Sequence, residues 1–267
     1  MCAQAFRKKR LPIALVAFSS LLFSCFQLSY AATATATAAA TTNQAPKSVW
    51  DGSNANFGLN ISSGNTNTQD LNSALNLIYT KNRWTNNTGV QIQFGKDTGV
   101  LNKEKYLLQD QLNIGFDPSN INSMFANGTI TVDKFSPYDY VYSGAAGYAH
   151  KIIHTTTVTL TGQFGPGYSV NKAADTKIKT TQFIFQTAAN LEWKIRTWGI
   201  FTQSITADFG KLYNHYVSSS KFTNAITKHV AIQLAYDIDS YSHIPPTKDP
   251  NTKKTDTTTS VNLVYNF

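Results

Sequence analysis

From residue 53 to the end of the chain, apolar and polar side chains alternate in run after run. In 53–63, Ala55, Phe57, Leu59 and Ile61 share one parity, and Asn54, Asn56 and Asn60 share the other. In 68–80, Leu71, Leu75, Leu77 and Tyr79 oppose Asn72, Asn76 and Thr80. Val90, Ile92 and Phe94 oppose Gln91 and Gln93, and Phe183, Phe185, Leu191 and Trp193 oppose Gln182, Gln186 and Asn190. Val230, Ile232, Leu234, Tyr236 and Ile238 oppose Gln233, Asp237 and Asp239. Successive side chains of a strand point to opposite faces, so each run is a strand with one apolar and one amide- or hydroxyl-rich face.

Turn-rich stretches divide the pattern into about twelve strands. Residues 96–103 and 242–254 read as the longer polar loops, while 81–84, 117–123, 150–154, 195–197 and 227–228 read as tighter turns. The pattern is weak over 125–134 and poor over 213–226. Tyr138, Tyr140, Tyr142 and Tyr148 fall on one parity. Asp110 shares the apolar parity of Tyr106, Leu108 and Leu112, which requires either a bulge that shifts the register or a position near an interface. The last run, Val261, Leu263, Tyr265 and Phe267, ends on an aromatic residue.

An even number of long alternating strands predicts an all-β fold: a transmembrane antiparallel up-and-down β-barrel of about twelve strands. Its apolar parity would face lipid and its polar parity the lumen. With both termini on the periplasmic side, the tight turns are periplasmic and the long loops external. Trp50, Trp84, Trp193 and Trp198 then all lie beside periplasmic strand ends, where indole rings favour the membrane–water interface.

The amino-terminal segment fits secretion. Arg7-Lys8-Lys9-Arg10, the apolar 13–26 and Ser29-Tyr30-Ala31 form a signal peptide over 1–31. Leu22-Phe23-Ser24-Cys25 is a poor lipoprotein box, because Phe23 is too bulky. Residues 32–49 read as a disordered Ala/Thr-rich periplasmic leader, and 50–267 as the barrel. Both cysteines, Cys2 and Cys25, fall in the signal, so the remaining 267 − 31 = 236 residues hold no disulfide. Cleavage also removes four basic residues, lowering the net charge from +8 to about +4 by counting. The basic balance is therefore partly the leader's, and no nucleic-acid partner is expected.

Candidate chemistry is sparse. His150 and His154 have a metal-pair spacing, but they bracket a predicted turn. No Gly-x-Ser-x-Gly elbow marks a nucleophile. Gly165-Pro166-Gly167 inside a strand reads as a kink or bulge and not as a phosphate loop. Lys172, Lys177 and Lys179 flank an external loop and read as ordinary solvated loop charges ahead of a contact for lipopolysaccharide phosphates. Glu192, Lys194, Asp208, Asp237 and Asp239 share the inward parity; they either tune a pore or fill it by pairing with one another. No catalytic residue, cofactor or metal is expected, and neither the solute nor the oligomeric state is legible.

The run Phe57-Gly58-Leu59-Asn60-Ile61-Ser62-Ser63-Gly64-Asn65-Thr66-Asn67-Thr68 resembles the opening strand of the YdiY-like, salt-induced outer membrane protein family. Gly165-Pro166-Gly167-Tyr168, Phe201-Thr202-Gln203-Ser204 and 253–261 resemble later segments of that family, in the same order. The resemblance spans 50–267 and implies an outer-membrane barrel without an assigned activity. It carries over no catalytic residue. The expected role is non-enzymatic: passive permeation of small solutes or an envelope-stress role. The alternatives are a surface-loop binding protein, a plugged structural barrel or, least favoured, an outer-membrane lipid hydrolase. The expected partners are outer-membrane lipids, lipopolysaccharide and the barrel-assembly machinery, which would read Val261, Leu263, Tyr265 and Phe267 as an assembly signal.

Overall fold

The computed structural model describes residues 48–62, 68–196, 198–246 and 253–267, without the side chains of 60–62 and 68. The expected signal peptide and nearly all of the expected leader lie outside the described residues. Twelve strands follow in order: β1 (Asn54–Ser62), β2 (Thr68–Lys81), β3 (Trp84–Asp97), β4 (Val100–Gly115), β5 (Asn122–Asp133) and β6 (Tyr138–His154). Then come β7 (Val158–Ala173), β8 (Lys179–Arg196), β9 (Gly199–Gly210), β10 (His215–Ala225), β11 (Val230–Tyr241) and β12 (Thr255–Asn266).

Each strand pairs antiparallel with its sequence neighbours, and β12 closes on β1 through Ala55↔Tyr265 and Phe57↔Leu263. The result is a closed twelve-stranded up-and-down barrel with no free edge. The start of β1, the end of β12 and the β2–β3, β4–β5, β6–β7, β8–β9 and β10–β11 turns lie at one end of the barrel, here the near end.

Burial follows the alternation in an inverted sense. Phe57, Leu59, Phe164, Phe183, Val261 and Leu263 are exposed on the outer wall, whereas Asn56, Gln93, Gln163, Gln182, Gln186 and Asn262 are buried inside. A wall that is greasy outside and amide-lined inside is stable only with lipid around it. No helix among the described residues is long and apolar enough to cross a membrane; the strands do the crossing.

Three local features depart from the sequence reading. Residues 96–103 are not a long loop. β3 and β4 meet at Thr98-Gly99, both with positive φ (50° and 79°), as a tight hairpin turn requires, and the register shifts at Gly95/Lys96. Residues 150–154 are the end of β6 with a bulge between Lys151 and Ile153, so the turn lies at 155–157. A second bulge between Tyr138 and Tyr140 turns Tyr138 into the barrel, while Tyr140 and Tyr142 stay outside.

At Gly165-Pro166-Gly167 the register does not shift, so there is no bulge, but the ladder to β6 is broken. β6 and β7 pair at Ala145↔Gly167 and again at Tyr148↔Phe164, with the ladder interrupted between. Proline has no N–H to donate there. A Cβ on Gly165 would sit 2.1 Å from the Ala146 carbonyl oxygen, and one on Gly147 2.1 Å from the Phe164 carbonyl oxygen. The two backbones therefore touch where only glycine fits.

Candidate functional site: the lumen

The inner wall encloses two cavities of about 560 and 670 Å³, and the two share lining residues, among them Asn76, Gln109, Asn190, Ser204, Lys221 and Gln233. They form one polar space along the barrel. Its near half is lined by Asn54, Asn87, Gln111, Asn127 and Gln163, nearly all uncharged.

Toward the far end, charged side chains bridge the space. Lys105 on β4 forms an ion pair with Asp239 on β11 at 3.1 Å. Four strands lie between β4 and β11 on the shorter way round, so this bond crosses the lumen. Lys103 also crosses it, donating to Thr258 Oγ1 on β12 at 3.0 Å. Amides make two further chords. Gln111 donates to Gln163 at 3.1 Å, and Asn127 donates to Gln186 at 2.6 Å. Gln186 in turn donates to Asp208 Oδ1 at 2.8 Å. Asp239 accepts a second contact from His215 Nε2 at 2.8 Å, and the imidazole stacks on Tyr241 at 4.3 Å.

Above this belt three tyrosines cluster at the far mouth. Tyr138 on β6, Tyr213 in the β9–β10 turn and Tyr241 on β11 pack with ring centroids 5.0–5.9 Å apart. Val141 and Ile244 complete the cluster. The Tyr213 hydroxyl meets Ser169 Oγ at 3.0 Å, and burial raises its pKa above the ordinary phenol range, so it stays neutral.

The inward charges expected from the sequence are distributed unevenly. Asp208, Asp237 and Asp239 line the far half of the cavity and Glu192 also reaches its near half. Glu192 and Lys194 pair with each other at 3.4 Å and are about half exposed near the end of β8. Within this set of five, Glu192 and Lys194 are the pair, while Asp208, Asp237 and Asp239 bond to Gln186, Ser219 and Lys105. Sequence reasoning missed Lys103 and Lys105, which lay in or beside the supposed loop, and His215 and Lys221, which lay in the unpatterned stretch. The parity of Lys103 and Lys105 with Gln109 and Gln111 was the available signal.

Trp50, Trp84, Trp193 and Trp198 gather at the near end, each about half exposed. Trp50 meets Tyr79 edge-on at 5.0 Å, and Trp198 meets Phe222 at 6.4 Å while reaching the near mouth of the lumen. Val261, Leu263 and Tyr265 form an exposed outward row, and the Phe267 N–H donates to the Ser53 carbonyl at 3.2 Å. His150 bonds Asn122 Oδ1, and no group of three or more His, Cys, Asp or Glu is gathered for a metal among the described residues.

Among curated proteins, none matches the chain in sequence. The fold is similar to the NanC porin structure in a rhombohedral crystal form, at 10% identity and TM-score 0.45, covering 80% of this chain and 98% of that one. It is similar to the outer membrane channel DcaP of Acinetobacter baumannii at 8% identity and TM-score 0.35, covering 80% and 94%. It is also similar to a deltaS2 mutant of the TodX monoaromatic hydrocarbon channel at 8% identity and TM-score 0.33, covering 80% and 87%. In sequence, residues 55–267 match the pattern of one family across nearly the whole barrel, and the chain belongs to that family, described as Protein of unknown function, DUF481.

Proposed function

We propose that this is a non-enzymatic outer-membrane barrel of the bacterial envelope that passes small polar solutes through a lumen closed at its outer mouth. The observation that carries the reading is the continuity of the two polar cavities, which share lining from Asn76 to Gln233 and span both halves of the barrel. The near end is periplasmic, with the tryptophans at that interface. The far end is external, so the tyrosine cluster faces the medium as a stopper held by Ile244 and by Tyr138 Oη, which donates to the His243 carbonyl at 3.4 Å. The partners implied are outer-membrane lipids, lipopolysaccharide and the assembly machinery.

The test is conductance. Purified protein, shown to be folded by a heat-dependent shift in gel mobility, is added to a planar bilayer. Discrete steps are expected, with longer open times for Tyr241→Ala, which removes the ring that touches both other tyrosines and His215. A second reading, a structural barrel with a permanent plug, is favoured by the tyrosine cluster itself. Folded protein that stays silent with and without Tyr241 would establish it in place of the first.

A further inference from the structure

On the inner face of the far half, acids outnumber bases. Asp208, Asp237, Asp239 and Asp256 line the cavity there. Asp133 stands directly opposite Lys105 in register, and Asp70 lies over Gly95 on the same inner wall. Against these six carboxylates stand two ammonium groups, Lys103 and Lys105, an excess of 6 − 2 = 4 carboxylates over lysines. In the near half the inward-facing Glu192 and Lys221 line the space together and offset each other.

The pairing is as uneven as the count. Asp239 takes both Lys105 and His215. Among the described residues Asp237 has only the Ser219 hydroxyl and Asp208 only the Gln186 amide as hydrogen-bond partner. Asp256 has no hydrogen bond or ion pair among the described residues, and it sits directly opposite Asp239 across the β11–β12 ladder. Like charges in that position repel. Both lysines reach from β4 across to β11 and β12, so any solute passing the belt threads between an acidic wall and two ammonium groups already engaged.

We propose that the outer half of the lumen is a cation filter: it admits small inorganic and organic cations and turns back anions. The inference rests on the permeation reading above and names its solute class. The acids act as a diffuse field in a low-dielectric wall, not as a ligand cage, and such a field concentrates counter-ions about ten-fold or more at low salt. The preference must fade as salt rises, because the screening length falls from about 30 Å at 0.01 M to about 3 Å at 1 M.

The experiment is the reversal potential of single channels of the full chain in a KCl gradient. The expected result is potassium preferred over chloride, a preference that weakens in concentrated salt. Asp256→Asn, which removes an unpaired charge and a repulsion and so leaves folding intact, should lower it measurably. Asp237→Asn with Asp256→Asn should lower it further, and Lys103→Met should raise it. Conducting channels that prefer chloride, or that do not discriminate, overturn the filter while leaving the permeation reading standing. Folded channels that never conduct overturn both.

Discussion

Asp110 is the most exacting test of how the outer wall is built. On β4 it points outward, four residues from Ile114, which pairs with Trp84, and four from Tyr106, which packs on Phe94 at 5.7 Å. At about 3.3 Å per residue and a tilt near 40°, that is about 10 Å from either aromatic level, the middle of the apolar band. Neither expected escape applies: the bulge lies eight residues away at Asn102, and the interface is out of reach. The carboxylate is held by its own wall instead. Thr88 Oγ1 donates to it at 2.6 Å and Asn86 Nδ2 at 3.1 Å.

In Asp110→Leu the wall loses a lipid-facing carboxylate costing about 2 kcal/mol and gains apolar contact with lipid of about 1 kcal/mol. It also loses two hydrogen bonds to a charged group, together about 2 kcal/mol after Thr88 falls back on Asn86 Oδ1, which it already meets at 3.1 Å. The sum is a stabilisation of about 1 kcal/mol. Denaturant unfolding of the barrel in phospholipid vesicles measures it. Thr88→Val should cost about 1 kcal/mol in the native background and clearly less in the Asp110→Leu background, where only the bond to Asn86 Oδ1 is lost, so the double-mutant cycle reports the coupling to the carboxylate. A loss of about 1 kcal/mol or more from Asp110→Leu would refute the placement of this side chain in lipid.

Other outcomes follow from the same geometry. Gly165→Ala forces a methyl to within 2.1 Å of the Ala146 carbonyl oxygen; the strands must part, with a loss of about 3 kcal/mol in the same unfolding assay. Phe267→Ala removes the last ring of the outward row and its edge contact with Tyr265 at 5.6 Å; yield of heat-modifiable barrel in cells should fall, while refolding of purified protein in detergent changes little.

The strands were legible because one face of each meets lipid and the other meets water, which enforces period-2 alternation. Legibility failed where that contrast vanishes. Beyond the membrane both faces are wet, so the β3–β4 hairpin, with Lys96, Asn102 and Lys103, resembled a loop. β10 escaped for a different reason: Ser218 and Ser220 face outward and bond Gln203 across the β9–β10 ladder, leaving a polar row where an apolar one was expected. Tyr138 shows the limit of parity itself, since one bulged residue moves a ring from lipid to lumen. The site was harder still. That Lys105 would meet Asp239 depends on which strands face each other across a closed circle, and no local pattern records that.

The side-chain chords across the lumen have a consequence for its size. Strand number and tilt set the perimeter of a barrel, but a fixed perimeter can enclose very different areas. Lys105–Asp239, Lys103–Thr258, Gln111–Gln163 and Asn127–Gln186 tie together strands three to five places apart around the circle and bridge the passage between them. In this chain the backbone decides how long the wall is, and a handful of polar contacts decide how wide the passage within it stands.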